Sequence, residues 1–363
     1  MATNKVDKLA PTDSRVQHHT YTIPGSPHNT TYHYLVAEPS SGAAPVATAL
    51  LIHGFPDLAF GWRYQVPYLA SLGLRVIVPD LPGYGRTDAP AELSAYSYKR
   101  VIDDLVAIVR RVQGKNEPLK EGEVPAEEDK IVLGGHDWGG AVAWRFALWY
   151  PQLLRCVFSV CTPFWTVGDT FHTKEQIVQR LPNFGYQLQF ERTEVEDAVQ
   201  GRDKIRTFLR VMYGGRRADG QPVFGVAKGV NLDLLEEDNK IGESPLMSRE
   251  ELDFYADEYV KNGMRGPLCW YKTAKVNFDE ERPLFREGRT KITVPSMMVT
   301  ATRDAALPPA MSADMDKHFT APLVRREVNA SHWALWETPA ETNKHIGDFL
   351  EGILKNQPLK ASI

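Results

Sequence analysis

A chain of 363 residues, 43% hydrophobic, can bury a large core, as one big domain or as a core with a smaller lobe. A net charge of −4 without a dense Lys/Arg stripe argues against nucleic acid as a partner. The odd, sparse set Cys156, Cys161 and Cys269 fits a reducing compartment rather than a disulfide framework, and the polar N-terminus, the lack of any apolar run near the ~20 residues of a membrane span and a closing KASI without a sorting signal give the expectation of a cytoplasmic protein with no membrane partner.

In chain order, YTI and YHYLVAEP read as early strands. ATALLIHG, Ala47 to Gly54, is a continuous apolar run ending in Gly, the pattern of a strand covered on both faces. RVIVPDLPGYG repeats it from Arg75. Val101, Leu105, Ile108, Val109 and Val112 give the segment from Ser97 to Gln113 helical spacing. Gly114 to Lys130 is charged and broken by Pro and Gly, the composition of a surface loop. IVLGGHD is a buried strand, GGAVAWRFALWY a helix stopped by Pro151, and LRCVFSVC a further strand. This alternation is the rhythm of an α/β protein with a mostly parallel sheet. It stops near Thr162, and 164–288 reads as amphipathic helices and aromatic turns without a convincing buried strand. VPSMMVTATRD then restores a strand, PPAMSADMDKHF a helix, LVRREVNASH a strand and PAETNKHIGDFLEGILKN a last helix. The expectation is an α/β core, 1–163 and 289–363, interrupted by a helical cap, 164–288, lying over the strand ends where open α/β sheets place their sites.

GGHDWGGA, Gly134 to Ala141, has the outline of a nucleophile elbow, small-x-nucleophile-x-small, with Asp137 at its centre. Gly135 and Gly139 leave room for the tight turn, and Gly140 lets the helix pack closely. A plain strand-to-helix turn capped by Asp137 would show the same letters, so the weight falls on partners. HGFPD, His53 to Asp57, follows a buried strand and can aim the N–H of Phe55 at a developing oxyanion beside the N–H of Trp138. Asp304 ends one predicted strand and His332 the next, giving the order nucleophile, acid, histidine of the α/β hydrolases. His18, His19, His28 and His33 precede the core, His318 and His345 fall within helices, His172 opens the insertion with no strand behind it, and His136 is expected to point inward. The GYGRTDAP loop, with glycines that permit close approach to the site floor, plays a supporting role.

Serine attacking saturated carbon would leave an ether that this machinery could not cleave. A carboxylate leaves an ester that it can. Asp137 is ionised at neutral pH without help, which frees His332 to activate water in a second step, with Asp304 orienting the imidazole. The leaving group is then an epoxide oxygen, which wants a neutral phenol as donor, or a halide, which wants N–H groups. Tyr186 in NFGYQLQFE and Tyr271 in RGPLCWYKT lie in the insertion, but with 14 tyrosines in the chain, spacing alone does not select them over Tyr213, Tyr255 or Tyr259.

From about Tyr32 to Leu354 the chain resembles the soluble-type epoxide hydrolases of the α/β-hydrolase fold. The resemblance is carried by HGFPDLAFGWRYQVPYL, GYGRTDAP, GGHDWGG, YQLQF, RGPLCWYK, RDAALPP and ASHWAL. It implies Asp137 as nucleophile, His332 as base, Asp304 as acid, Tyr186 and Tyr271 as the phenols that grip the epoxide, Phe55 and Trp138 as main-chain oxyanion donors, and a cis Phe55–Pro56 bond. No phosphatase-like N-terminal domain is matched, which implies one activity. Nothing calls for a metal or cofactor. A haloalkane or haloacid dehalogenase shares the Asp elbow and could use the Trp138 indole, and a non-catalytic binding protein could keep the fold. Phe164, Trp165 and Phe190 suggest an apolar or aromatic small-molecule epoxide, and a homodimer is an open alternative to a monomer.

Overall fold

The computed structural model describes residues 6–355 and 357, except 27, 116 and 121. The closing KASI therefore lies outside the described residues. The strands β1 (Gln17–Thr22), β2 (Thr31–Ala37), β3 (Ala47–Ile52), β4 (Leu74–Pro79), β5 (Ile131–His136) and β6 (Leu154–Val160) precede the helical insertion. Within it lie the two-residue strands β7 (Phe224–Gly225) and β8 (Gly229–Val230), and beyond it β9 (Ser296–Ala301) and β10 (Leu323–Val328). The eight long strands form one sheet in the order β1-β2-β4-β3-β5-β6-β9-β10. β1 and β2 run antiparallel, and every pairing from β4 to β10 is parallel. All six residues of β3 and of β5 are buried, as their unbroken apolar runs require of strands covered on both faces.

The core helices α1 (Gln65–Ser71), α2 (Tyr98–Val112) and α3 (Trp138–Trp149) connect these strands. Ser97 caps α2 by accepting the Arg100 N–H, and the apolar stripe read from the sequence is its buried face. Between β6 and β9 the chain runs through α4 (Lys174–Arg180), α5 (Tyr186–Phe190), α6 (Glu194–Ala198), α7 (Gly201–Met212), α8 (Leu232–Leu235), α9 (Arg249–Tyr259), α10 (Arg265–Cys269) and α11 (Ala274–Arg286). Helices α12 (Ala334–Glu337) and α13 (Pro339–Leu354) close the fold. No helix of the described residues is long and apolar enough to cross a membrane. The three cysteines are buried and free.

Three expectations need correction. The stretch from Pro308 to Phe319 is not one helix but two 3-10 turns, Pro309–Ser312 and Met315–His318. The Ser312 carbonyl accepts Nη2 of Arg325 on β10 at 2.8 Å instead of continuing a helix. The insertion holds the hairpin β7–β8, whose two-residue strands are too short to show alternation. His18, His19 and His33 do not precede the core. The first two stand on β1, the outermost strand of the sheet, and His33 sits buried within β2 and pairs through Nδ1 with Asp80 Oδ2 at 2.7 Å.

β5 delivers the elbow. Asp137 has φ 53° and ψ −124°, and α3 begins at the next residue. The crossing is so close that a Cβ on Gly135 would lie 2.2 Å from the Gly139 carbonyl oxygen, and one on Gly139 2.0 Å from that of Ile52. A Cβ on Gly140 would meet Ser159 Oγ at 2.5 Å, so this glycine sets how near α3 comes to β6. Gly139→Ala must push α3 off β3, and the expected loss is about 3 kcal/mol of stability, checked by chemical denaturation. A variant as stable as the parent would mean that the elbow relaxes without resistance.

Candidate active site

The elbow presents the Asp137 carboxylate to a cavity and fixes both of its oxygens. Oδ1 accepts the Phe55 N–H at 2.7 Å. Oδ2 lies 3.3 Å from His332 Nε2. Trp138 is the first residue of α3, and its N–H is among the amides that a helix cannot pair internally. Thr162, just past β6, donates Oγ1–H to the Asp137 carbonyl at 2.7 Å and ties down the turn from behind. Gly54 must be glycine here, because a Cβ would stand 2.4 Å from the Asp137 side chain. The Phe55–Pro56 bond is cis.

His332 lies between two carboxylates. Its Nδ1–H donates to Asp304 Oδ2 at 2.8 Å, and the Asp304 side chain is fully buried. The other Asp304 oxygen accepts the N–H groups of Ala306 at 2.9 Å and Leu307 at 2.8 Å, which the turn after β9 aims at it. Burial would raise the Asp304 pKa, but the His332 charge and hydrogen bond and the two amides bring it down to about 2. Burial likewise opposes ionisation of Asp137, and the hydrogen bond and charge of His332, with His136 and the Phe55 amide, hold its pKa below the usual carboxylate value. Burial alone would lower the His332 pKa. The two carboxylates outweigh it and keep the imidazolium stable well above the ordinary range. In this state an ionised Asp137 faces a protonated His332.

His136 points inward as expected. Nε2–H donates to the His332 carbonyl at 2.8 Å, and burial lowers its pKa to about 4, so it is a neutral strut. Cys161 Sγ–H reaches the same carbonyl at 3.4 Å. The candidate ligand atoms of His136, Cys161 and His332 lie within 4.8 Å of one another, but they are engaged in holding the histidine loop. His33, paired with Asp80, is a second His–Asp couple, and it anchors β2: Asp80 Oδ1 also accepts the Ala59 N–H at 2.8 Å.

The insertion supplies the roof. Tyr186 opens α5 and Tyr271 follows α10, and their ring centroids are 6.0 Å apart. Burial and the Asp137 charge raise the Tyr186 pKa, while burial, Tyr186 and Asp137 do the same for Tyr271, so both phenols stay protonated. The other cap tyrosines are committed elsewhere. Tyr213 donates to the Pro56 carbonyl, Tyr255 to Asp57 Oδ1 at 2.6 Å and Tyr259 to the Asp57 carbonyl at 3.1 Å. They clamp the segment that carries the Phe55 N–H.

Gly266 and Lys174, whose roles sequence reasoning missed, set the height of Tyr271. Gly266 and Gly83 meet main chain to main chain, a Cβ on Gly83 lying 2.6 Å from Gly266 Cα. The GYG loop thus approaches the cap rather than the site floor. Lys174, buried in the first turn of α4, donates to the Tyr271 carbonyl and lies 3.4 Å from Glu191, just past α5. A buried ammonium is a signal with no periodicity, and only the folded chain reveals its partners.

Asp137 and Tyr186 are shared by the walls of two cavities, of about 520 and 390 Å³. The larger runs past Trp138, Trp144, Trp165, Phe184 and Leu181. The smaller is bounded by Phe55, Met212, Phe224, Tyr271, His332 and Trp333. Trp165 lines the larger space, as expected. Phe164 and Phe190 do not line either. Phe164 packs on Trp144 at 6.0 Å between centroids, and Phe190 supports Tyr271 and Phe55 from behind at 5.1 and 5.3 Å.

Residues 49–339 match the alpha/beta hydrolase fold family. A Neurospora crassa protein named epoxide hydrolase srdG is 44% identical over 357 residues, 96% of this chain and 99% of its own. Epoxide hydrolase A of Mycobacterium tuberculosis is 32% identical over 326 residues, 88% of this chain and 94% of its own. The chain belongs to the epoxide hydrolases of the α/β-hydrolase fold. Its fold superposes on the crystal structure of epoxide hydrolase A from Mycobacterium thermoresistibile with a TM-score of 0.71 at 24% identity, covering 93% of this chain and 98% of the other. Among the two alternatives read from the Asp elbow, neither the dehalogenase nor the non-catalytic protein has that support.

In this epoxide hydrolase the Asp57 carboxyl is fully buried, and burial raises its pKa to about 7 despite the Tyr255 hydrogen bond. The folded chain keeps a proton there that the unfolded chain gives up near pH 4. Its stability contribution is therefore complete at low pH and is lost as pH rises from about 4 to 7. Asp57→Asn removes that dependence while keeping an acceptor for Tyr255. Its stability relative to the parent is expected to rise by about 2 kcal/mol between pH 5 and pH 8, measured by urea denaturation at both. A constant difference would show that Asp57 is ionised throughout.

Proposed function

We propose that Asp137 opens the epoxide, that Tyr186 and Tyr271 receive its oxygen, and that His332 with Asp304 hydrolyses the ester that results. The observation that carries this reading is the Asp137 carboxylate at the meeting of two cavities, with Oδ1 on the Phe55 amide and Oδ2 toward His332 Nε2. Oδ2 attacks a ring carbon, the ring C–O bond breaks, and its electron pair stays on the epoxide oxygen. A phenol proton neutralises that oxygen as it leaves. The product is a hydroxyalkyl ester whose carbonyl oxygen is Oδ1, already hydrogen-bonded by Phe55.

Alkylation erases the charge on Asp137. One of the two carboxylates that hold the proton on His332 is then gone, so the imidazolium becomes a stronger acid and gives up its proton, restoring the phenol. Neutral His332, oriented by Asp304, takes a proton from water as that water attacks the Asp137 carbonyl carbon. The charge that develops on Oδ1 faces the N–H groups of Phe55 and Trp138, the oxyanion donors on this reading. Collapse releases a vicinal diol and regenerates Asp137. Residues 164–288 act as the cap that excludes water, over a core of 1–163 and 289–363. The mainly apolar and aromatic walls suit an apolar or aromatic epoxide, and three buried free thiols suit a reducing cytoplasmic setting.

In a single turnover in ¹⁸O-water, the diol should emerge unlabelled and the label should appear in Asp137. A labelled first-turnover diol would mean direct attack by water. His332→Gln should open the epoxide and stall, with intact-mass spectrometry showing the protein heavier by one substrate. Tyr186→Phe combined with Tyr271→Phe should slow ring opening by about 10³-fold or more, read from the pre-steady-state rate. Unchanged ring opening would exclude the two phenols as the proton source.

A further inference from the structure

Asp137 and the two cap phenols account for the three-membered ring, and the substituent it carries must extend into one of the two cavities. The larger is mostly aromatic and aliphatic, with Thr162, Thr166, His172, Arg180 and Gln187 among its polar residues, and two further donors stand side by side in its wall. Tyr98, in the first turn of α2, lies with its ring 6.3 Å from that of Trp138. Its main chain is fixed by Asn277 Oδ1, which accepts the Tyr98 N–H at 2.8 Å. Its hydroxyl has no hydrogen-bond partner among the described residues. Burial, helped by Glu281 and Asp137 and opposed by Arg145, raises its pKa, so it remains a neutral donor.

Arg145, on α3, is the second. Its Cζ stands 5.9 Å from the Tyr98 ring centroid. Nε pairs with Glu281 Oε1 at 2.7 Å, and Nη1 donates to the Trp165 carbonyl at 2.7 Å. Nη2 has no partner among the described residues. The guanidinium is therefore anchored, yet keeps N–H capacity beside a free phenol. Glu281 balances its charge, so the pair offers hydrogen bonds without a net charge. A carbonyl oxygen, which accepts hydrogen bonds without carrying charge, fits this pair.

We propose that Tyr98 and Arg145 form an acceptor subsite in the larger cavity, selecting epoxides whose substituent carries a carbonyl oxygen. The proposal rests on Asp137 as nucleophile, which fixes where the ring sits. A carbonyl held there orients the substituent so that one ring carbon faces Oδ2. A site that hydrogen-bonds a substrate oxygen discriminates against analogues lacking it more sharply than an apolar wall discriminates by size.

The test compares (4-acetylphenyl)oxirane with the nearly isosteric (4-isopropylphenyl)oxirane. The readout is the acetyl-over-isopropyl ratio of kcat/KM, which cancels general damage to the cavity. Tyr98→Phe should reduce that ratio about tenfold, mainly through KM of the acetyl substrate, as expected for one lost hydrogen bond. Arg145→Lys, which can keep the Glu281 pair but not the second terminal N–H, should move it the same way. A ratio unchanged in Tyr98→Phe overturns the subsite. Turnover of either epoxide surviving in Asp137→Asn overturns the placement of the ring on which the subsite rests.

Discussion

A carboxylate forced to stand at a backbone crossing is the constraint from which the rest of the site follows. Asp137 adopts a positive φ because β5 must turn at once into α3. That turn fits only because Gly135, Gly139 and Gly54 bring no side chains into the crossing. The cost of the strained conformation is offset by the Phe55 amide, the Thr162 hydroxyl and His332, which fix the residue from three directions. A buried carboxylate without these partners would take up a proton and lose its nucleophilicity. The same contacts thus hold the geometry and keep the charge.

The insertion answers to this centre as much as it covers it. Tyr213, Tyr255 and Tyr259 reach down to Pro56 and Asp57, so the segment carrying the Phe55 amide is held by the cap and not by the sheet alone. Gly83 against Gly266, and Lys174 beneath the Tyr271 carbonyl, set the distance from cap to core. The donor that faces Oδ1 and the phenols that face the cavity share one rigid support. Loosening the cap would misplace both together.

Much of this was readable in the order of residues. β3 and β5 announce themselves as unbroken apolar runs, and Asp137, Asp304 and His332 each follow a strand of the same sheet, so chain order alone assembles them. The elbow glycines are legible because a tight turn has a fixed chemical demand. The cap is less so. Tyr186 and Tyr271 differ from Tyr213, Tyr255 and Tyr259 only in where their hydroxyls point, which depends on long-range packing that no local pattern encodes. Phe164 and Phe190 look like pocket residues by composition and turn out to be supports, because an aromatic side chain has the same letters on either side of a wall. His33 reads as standing before the core because a β-strand that joins the sheet from its antiparallel edge looks like a prelude to it. The helix expected across Pro308 to Phe319 is broken where Arg325, on the next strand, claims the Ser312 carbonyl.

The two cavities that meet at Asp137 are unequal, about 520 and 390 Å³, and differ in their walls. A substituted epoxide has two unlike ends, the ring carbon that bears the substituent and the one that does not. In the proposed mechanism the phenols receive the oxygen and Asp137 lies below the carbon, which leaves one end for each cavity. Exchanging the ends while the oxygen stays in place presents the opposite ring carbon or the mirror-image molecule. The difference in size between two hollows thereby becomes a preference for handedness, and a residue that changes only the volume of one of them would alter the stereochemistry of the diol without touching any group that takes part in bond making.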